Sequence, residues 1–195
     1  MSPQLFLVGF VFELVFSVTH GAAFLVEGFS FIDWIYPTVI FGRLAVLFGL
    51  AGLTARIARG GYTRLRTVSR VIVVLAMFST TGLMVISTLM QFGITTPIIS
   101  VFGITTVLST LLTFVLFGIV GLRTDAYPSI IGGLLLVATA AVLFVLLGQG
   151  AFSVDVRGAV GEGVNAFVFL AVWYVLNTES GATRQRDPAP DTVVE

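Results

Sequence analysis

The chain has no cysteine, no lysine and a single histidine. Each absence closes off a chemistry. Without thiols there are no disulfides, thiolate metal sites or cysteine nucleophiles. Without a lysine there is no Schiff-base amine of the retinal-binding kind. One histidine excludes a multi-histidine metal or haem site within one chain, so that haem ligation by His20 would need a symmetric dimer. No metal and no cofactor is therefore expected. Charge is scarce as well: 10% of residues are charged, against about 25% in soluble domains. The net charge is zero, so no global field draws in nucleic acid, and nucleic acid is not an expected partner.

What is present is apolar. Hydrophobic residues make up 57% of the 195 and the mean hydropathy is +1.07. A chain of this composition cannot cover its surface with polar groups in water, so its solvent is lipid. Crossing the hydrocarbon layer takes about 20 apolar residues as a helix. Six segments meet that length: residues 5–26, 38–58, 71–92, 97–122, 129–148 and 158–176. The alternation of an outer-membrane barrel is missing, and lipid offers no partner to an exposed backbone N–H. The expected fold is therefore all-α, a polytopic membrane bundle of six transmembrane helices in residues 1–177. Residues 178–195 are expected to form a polar, disordered tail. The first segment reads as a span and not as a cleavable signal, since it lacks a basic flank and a small-residue cleavage site.

Arginine sets the expected orientation. The stretch RIARGGYTRLRTVSR between spans two and three carries Arg56, Arg59, Arg64, Arg66 and Arg70. Arg123 follows span four, and Arg184 and Arg186 lie in the tail, whereas the opposite side has Arg157 alone. Both termini are thus expected in the cytoplasm, with the cell membrane as the location. Trp34 and Tyr36 are expected at the outer interface, Trp173 and Tyr174 at the inner one.

The pentapeptide FGITT occurs twice, at 92–96 and 102–106. Ten residues displace the second copy by about 80° around a helix, so the copies line no common face. The first copy ends span three, with Thr96 and Pro97 suited to opening span four. A more physical pattern in span four is Thr106, Ser109, Thr110 and Thr113 at helical spacing, followed by Gly118 and Gly121. Small polar residues on one face let helices approach and hydrogen-bond.

The residues that are costly to keep in lipid lie in spans one and two. Glu13, His20 and Glu27 are spaced by seven, so they share a helix face to within about 20°. Ser17 lies on the same stripe. An ionised side chain at the bilayer centre costs at least about 2.5 kcal/mol, so the stripe is expected to face the bundle. Arg43 stands near the start of span two, where an antiparallel hairpin sets it level with His20 and in reach of Glu27, the expected direct pair. Glu13 is then expected about 12 Å deeper than Arg43. The candidate binding or proton-relay residues are Glu13, Ser17, His20, Glu27 and Arg43. Two readings stay open: structural polar residues, with Glu13 neutral, or a relay or head-group site. Asp155, Arg157, Glu162 and Asn165 before and within span six offer too few converging oxygens for a cation and are read as a solvated rim.

One region has a likeness. In FVLFGIVGLRTDAYPSIIGGLLL, residues 114–136, the residues Phe117, Gly118, Arg123, Thr124, Pro128, Gly132, Leu134 and Leu135, with Phe41, Arg43 and Leu44 of span two, resemble an uncharacterised family of six-helix prokaryotic integral membrane proteins. The resemblance implies the fold and the membrane location and brings no activity with it. The expected function is a non-enzymatic membrane protein that binds or moves a small apolar or amphipathic molecule, or serves as an accessory subunit. Membrane lipids are partners, and a small-molecule ligand and assembly into a homo-oligomer or larger complex are open. The alternative is an intramembrane enzyme acting on a lipid-like substrate, with Glu13 as acid or base and Arg43 holding an anionic head. The lack of paired aspartates and the single histidine weigh against it; the lack of an internal repeat and of broken-helix signals weighs against a transporter.

Overall fold

The structure is a computed structural model that describes residues 2–26, 32–94 and 97–186, with 32–38, 149 and 180–186 by their backbone alone. Every regular element among them is helical. In chain order they are α1 (Gln4–Leu25), α2 (Ile32–Arg59), α3 (Thr63–Gln91), α4 (Ile98–Arg123), α5 (Ser129–Leu147) and α6 (Val154–Arg186), with a short 3-10 turn at Gly148–Gly150 before α6. All six helices are long and apolar enough to cross a membrane. The chain is therefore an all-α, six-helix bundle, as the apolar segments require. Glu27, the first Thr-Thr pair at 95–96 and residues 187–195 of the expected tail lie outside the described residues, as do the side chains of Trp34 and Tyr36.

The helices form a closed ring. Each packs on its neighbours in sequence, and α1 packs along α6 to complete the circle. Polarity is inverted relative to a protein in water. Val11, Val15 and Val18 on α1 face outward, whereas Glu13, Phe16 and His20 are buried. On α4, Ile104, Leu108 and Leu112 are exposed while Thr106, Ser109, Thr110 and Thr113 are buried. Lipid welcomes the valines and leucines, and two of these hydroxyls satisfy themselves on backbone carbonyls of the preceding turn: Ser109 Oγ on Thr105 O at 2.6 Å and Thr113 Oγ1 on Ser109 O at 2.7 Å.

Three boundaries differ from the sequence expectation, one being that α6 runs on to Arg186, past the expected end of span six at residue 176. The arginine-rich stretch 56–70 is mostly helix: α2 runs through Arg59 and α3 begins at Thr63, leaving Gly60–Tyr62 for the turn. Gly61 takes a φ of +82°, a conformation that favours glycine. Arginine is a good helix former, and at the end of α2 its charge meets the negative pole of the helix. At the other end α2 begins at Ile32, six residues before the expected start, and carries Pro37 within it. A span can absorb a proline where neighbouring helices re-satisfy the freed backbone.

The half of the ring near the arginine turn is filled by a large apolar core. Phe6, Leu50, Leu53, Ile57, Phe117 and Leu176 are almost completely buried there. Tyr127, in the α4–α5 turn, seals this end: its hydroxyl donates to the Phe117 carbonyl, and burial pushes its phenol above the ordinary value, so it stays a donor. Helices α4 and α5 cross on glycine. A Cβ on Gly132 would stand 2.6 Å from the Gly118 carbonyl oxygen, and one on Gly121 would stand 2.9 Å from Gly132 Cα. The opposite half of the ring is not filled in this way, and the polar residues gather where the two halves meet.

Candidate polar site between three helices

Glu13, Ser17 and His20 sit on successive turns of α1, one above another, and the face they make is turned to α6. His20 Nδ1 lies 3.3 Å from Asp155 Oδ1. One turn on, Ser17 Oγ donates to the Ala159 carbonyl at 2.7 Å. One further turn brings Glu13 beside Glu162, close enough for their carboxyls to hydrogen-bond when one holds a proton. The helices run antiparallel, so residues spaced by seven on α1 meet residues spaced by seven on α6. Glycine makes the approach close: a Cβ on Gly158 would fall 2.6 Å from the His20 ring, and one on Gly163 would fall 2.9 Å from Ser17 Oγ. The His20 ring also stands edge-on to Phe16, with centroids 4.5 Å apart.

Arg43 of α2 joins the two helices. Its Nε is 3.2 Å from Glu13 Oε1, and its Nη2 donates to Glu162 Oε1. Asn165, one turn further along α6, donates from Nδ2 to Glu162 Oε2 at 3.2 Å. A guanidinium presents donors in a planar fork, which suits it to bridging two carboxyl groups where an ammonium would not. Glu13, Glu162 and Asn165 are 0%, 5% and 3% exposed, so this is a buried triad at the middle of the bundle.

Several expectations change here. Arg43 is level with Glu13, not with His20, because α2 starts at Ile32 and sets Arg43 deeper. The partner of the α1 stripe is α6 more than α2. Glu162 and Asn165 are buried members of the cluster, and the reading of Asp155, Arg157, Glu162 and Asn165 as a solvated rim does not hold. Arg157 is itself buried, donating to the Val145 and Phe152 carbonyls and tying the end of α5 to α6. The expected pair Glu27–Arg43 rests on a residue outside those described.

Beside the triad, in the half away from the arginine turn, lies a cavity of about 360 Å3. All six helices line it: Phe16 and His20, Val39 and Ile40, Leu83, Val107, Val145 and Leu146, and Val154 and Gly158 among others. Its walls are mostly apolar. Arg43 and Glu162 are its charged lining residues; Thr80 and Thr106 also line it, and their buried hydroxyls have no hydrogen-bond partner among the described residues. A second, far smaller cavity of about 10 Å3 lies on the other side of Arg43, lined by Glu13, Thr110 and Asn165 with apolar neighbours.

Six apolar helices around a buried ion-paired cluster define a multi-pass integral membrane protein. Comparison with protein families, with curated proteins and with solved structures gives no match. The likeness at residues 114–136 therefore stands on its own residues. Their physical role is the α4–α5 turn: Pro128 precedes α5, and Gly118 and Gly132 are its contact.

Proposed function

We propose that this protein is a non-enzymatic membrane protein of the cell membrane that binds or carries one small amphipathic molecule. The observation that carries the reading is the cavity beside Arg43. Its walls suit an apolar body, and it holds a few convergent polar groups at one end, which is the usual composition of a small-molecule site. The two hydroxyls of Thr80 and Thr106 ask for a partner, because a buried polar group without one is costly. A ligand with a hydroxyl or carbonyl head supplies it. A carboxylate head is disfavoured, since Arg43 already serves two carboxyl groups. The same fact weighs against an enzyme that holds an anionic lipid head on Arg43, and Glu13 borders the small cavity, not the large one.

The test is native mass spectrometry of the protein gently extracted from its own membrane. One stoichiometric adduct is expected, and Leu146→Trp, which puts a larger side chain on the cavity wall, should weaken it. A bare chain, or an adduct indifferent to Leu146→Trp, would sink the reading.

A further inference from the structure

We propose that Glu13 and Glu162 hold one exchangeable proton between them, and that the proton reaches the pair through the large cavity by way of Asp155 and His20. The two carboxyls are in hydrogen-bond contact. An ionised carboxyl has only acceptors, so one of the pair must carry a hydrogen. Charge gives the same count. Arg43 is the one cation that meets the pair among the described residues, and a second carboxylate beside it would be an uncompensated charge among apolar helices. One proton brings the triad to neutrality. The donors say where it rests. Glu162 receives two hydrogen bonds, from Arg43 Nη2 on Oε1 and from Asn165 Nδ2 on Oε2. Glu13 receives one, from Arg43 Nε on Oε1, and its buried Oε2 has no donor among the described residues. Donors favour the ionised form, so Glu162 is the carboxylate and Glu13 the acid.

A buried acid can be a fixed structural feature, but here a route leads to it. Side-chain exposure falls from 29% at Asp155 to 9% at His20, 7% at Glu162 and 1% at Glu13. Asp155 and His20 meet at 3.3 Å, His20 and Glu162 line the same cavity, and Glu162 meets Glu13. The unpartnered Thr80 and Thr106 hydroxyls of that cavity are the anchors a bridging water needs. No other charged group intervenes. Arg157 of α6 is committed to the Val145 and Phe152 carbonyls, and α3, α4 and α5 bring only hydroxyl or apolar side chains to the cavity. Beyond Glu13 the apolar core around Phe6 and Leu50 fills the ring, so the route ends at the pair. The site is a proton well open on the cavity side, not a conducting wire. It goes beyond the proposed function and does not depend on which molecule the cavity takes.

The experiment is infrared spectroscopy of the purified full chain in lipid, reading the C=O stretch that only a protonated carboxyl shows, at neutral pH and then after transfer into D2O. One acid carboxyl per chain is expected. Its band should move to lower frequency in D2O while the amides of the apolar core stay undeuterated, which shows exchange without unfolding. Glu13→Gln and Glu162→Gln should each abolish the band, because the remaining carboxyl then has Arg43 to itself and ionises. Melting close to the wild-type temperature shows that a variant is folded. If either glutamine variant is not, Asn165→Leu takes its place: Glu162 loses one of its two donors, so the band should persist but shift. No acid carboxyl in the wild type, or a band that D2O leaves unmoved, overturns the proposal. A band that survives in a folded glutamine variant, or stays unshifted in Asn165→Leu, overturns it too.

Discussion

Arg43 is the residue on which three helices depend. Its guanidinium is the counter-charge for both Glu13 and Glu162, and neither carboxyl has another cation beside it among the described residues. Removing one partner of a buried ion pair leaves the other charge exposed to the low dielectric, at about 3–5 kcal/mol. Arg43→Met is therefore expected to destabilise the bundle by that amount, read as a fall in melting temperature or in resistance to denaturing detergent. Arg43→Lys keeps the charge but loses the planar fork, and should fall between. The triple variant Arg43→Met, Glu13→Gln, Glu162→Gln should recover most of the loss, because no unpaired charge remains. If the triple variant is as unstable as Arg43→Met, packing of the arginine stem and not its charge is what matters. Ser17→Ala sets the scale from below. Its hydroxyl donates one hydrogen bond to a backbone carbonyl, and its loss should cost about 0.5–1.5 kcal/mol.

At the scale of helices, contact is decided by glycine. The α4–α5 crossing leaves no room for a side chain at Gly132, whose Cβ would meet the Gly118 oxygen and the Leu122 nitrogen, at 2.6 and 2.9 Å. These are backbone atoms and cannot rotate away. Gly132→Val is expected to destabilise by about 1–3 kcal/mol or more through overpacking. Gly133→Ala, one residue on and with no atom within 4 Å, should be close to neutral. Equal losses at the two positions, measured by thermal unfolding in detergent, would remove the crossing from the account. The helices themselves were legible because apolar length is a local property of composition, and so was the hydroxyl face of α4, because period 3.6 is local too. The depth of Arg43 was not. Span two was expected to begin at residue 38, yet α2 continues back through Pro37 and Asp33 to Ile32. The role of Glu162 was not legible either. Its partners, Glu13 and Arg43, lie more than 110 residues away, and only the antiparallel docking of α6 on α1 brings them together. A trace of it was present in the sequence: Asp155 and Glu162 repeat the spacing by seven of Glu13 and His20.

For the molecule as a whole, an even number of spans places the start of α1 and the end of α6 on one side, with the arginine turn. That side is also the filled one. The core around Phe6, Leu50 and Phe117 blocks the ring there, and Arg56 of α2 is tied to Glu179 of α6 at the same end. The cavity, its unpartnered threonines and His20 all lie in the other half. Orientation thus decides which face of the membrane the cavity is near, and the arginine asymmetry predicts that the cavity is toward the outside. The absence of cysteine makes this directly measurable, since a single introduced thiol reports without background. Tyr62 in the arginine turn and Ser153 before α6 are both exposed. In intact cells, Ser153→Cys is expected to react with a membrane-impermeant maleimide, and Tyr62→Cys to react only after permeabilisation. The reverse pattern would put the cavity half toward the cytoplasm. A ligand would then reach it from inside the cell, and a role in taking up molecules from outside would have to begin with a path through the packed arginine half.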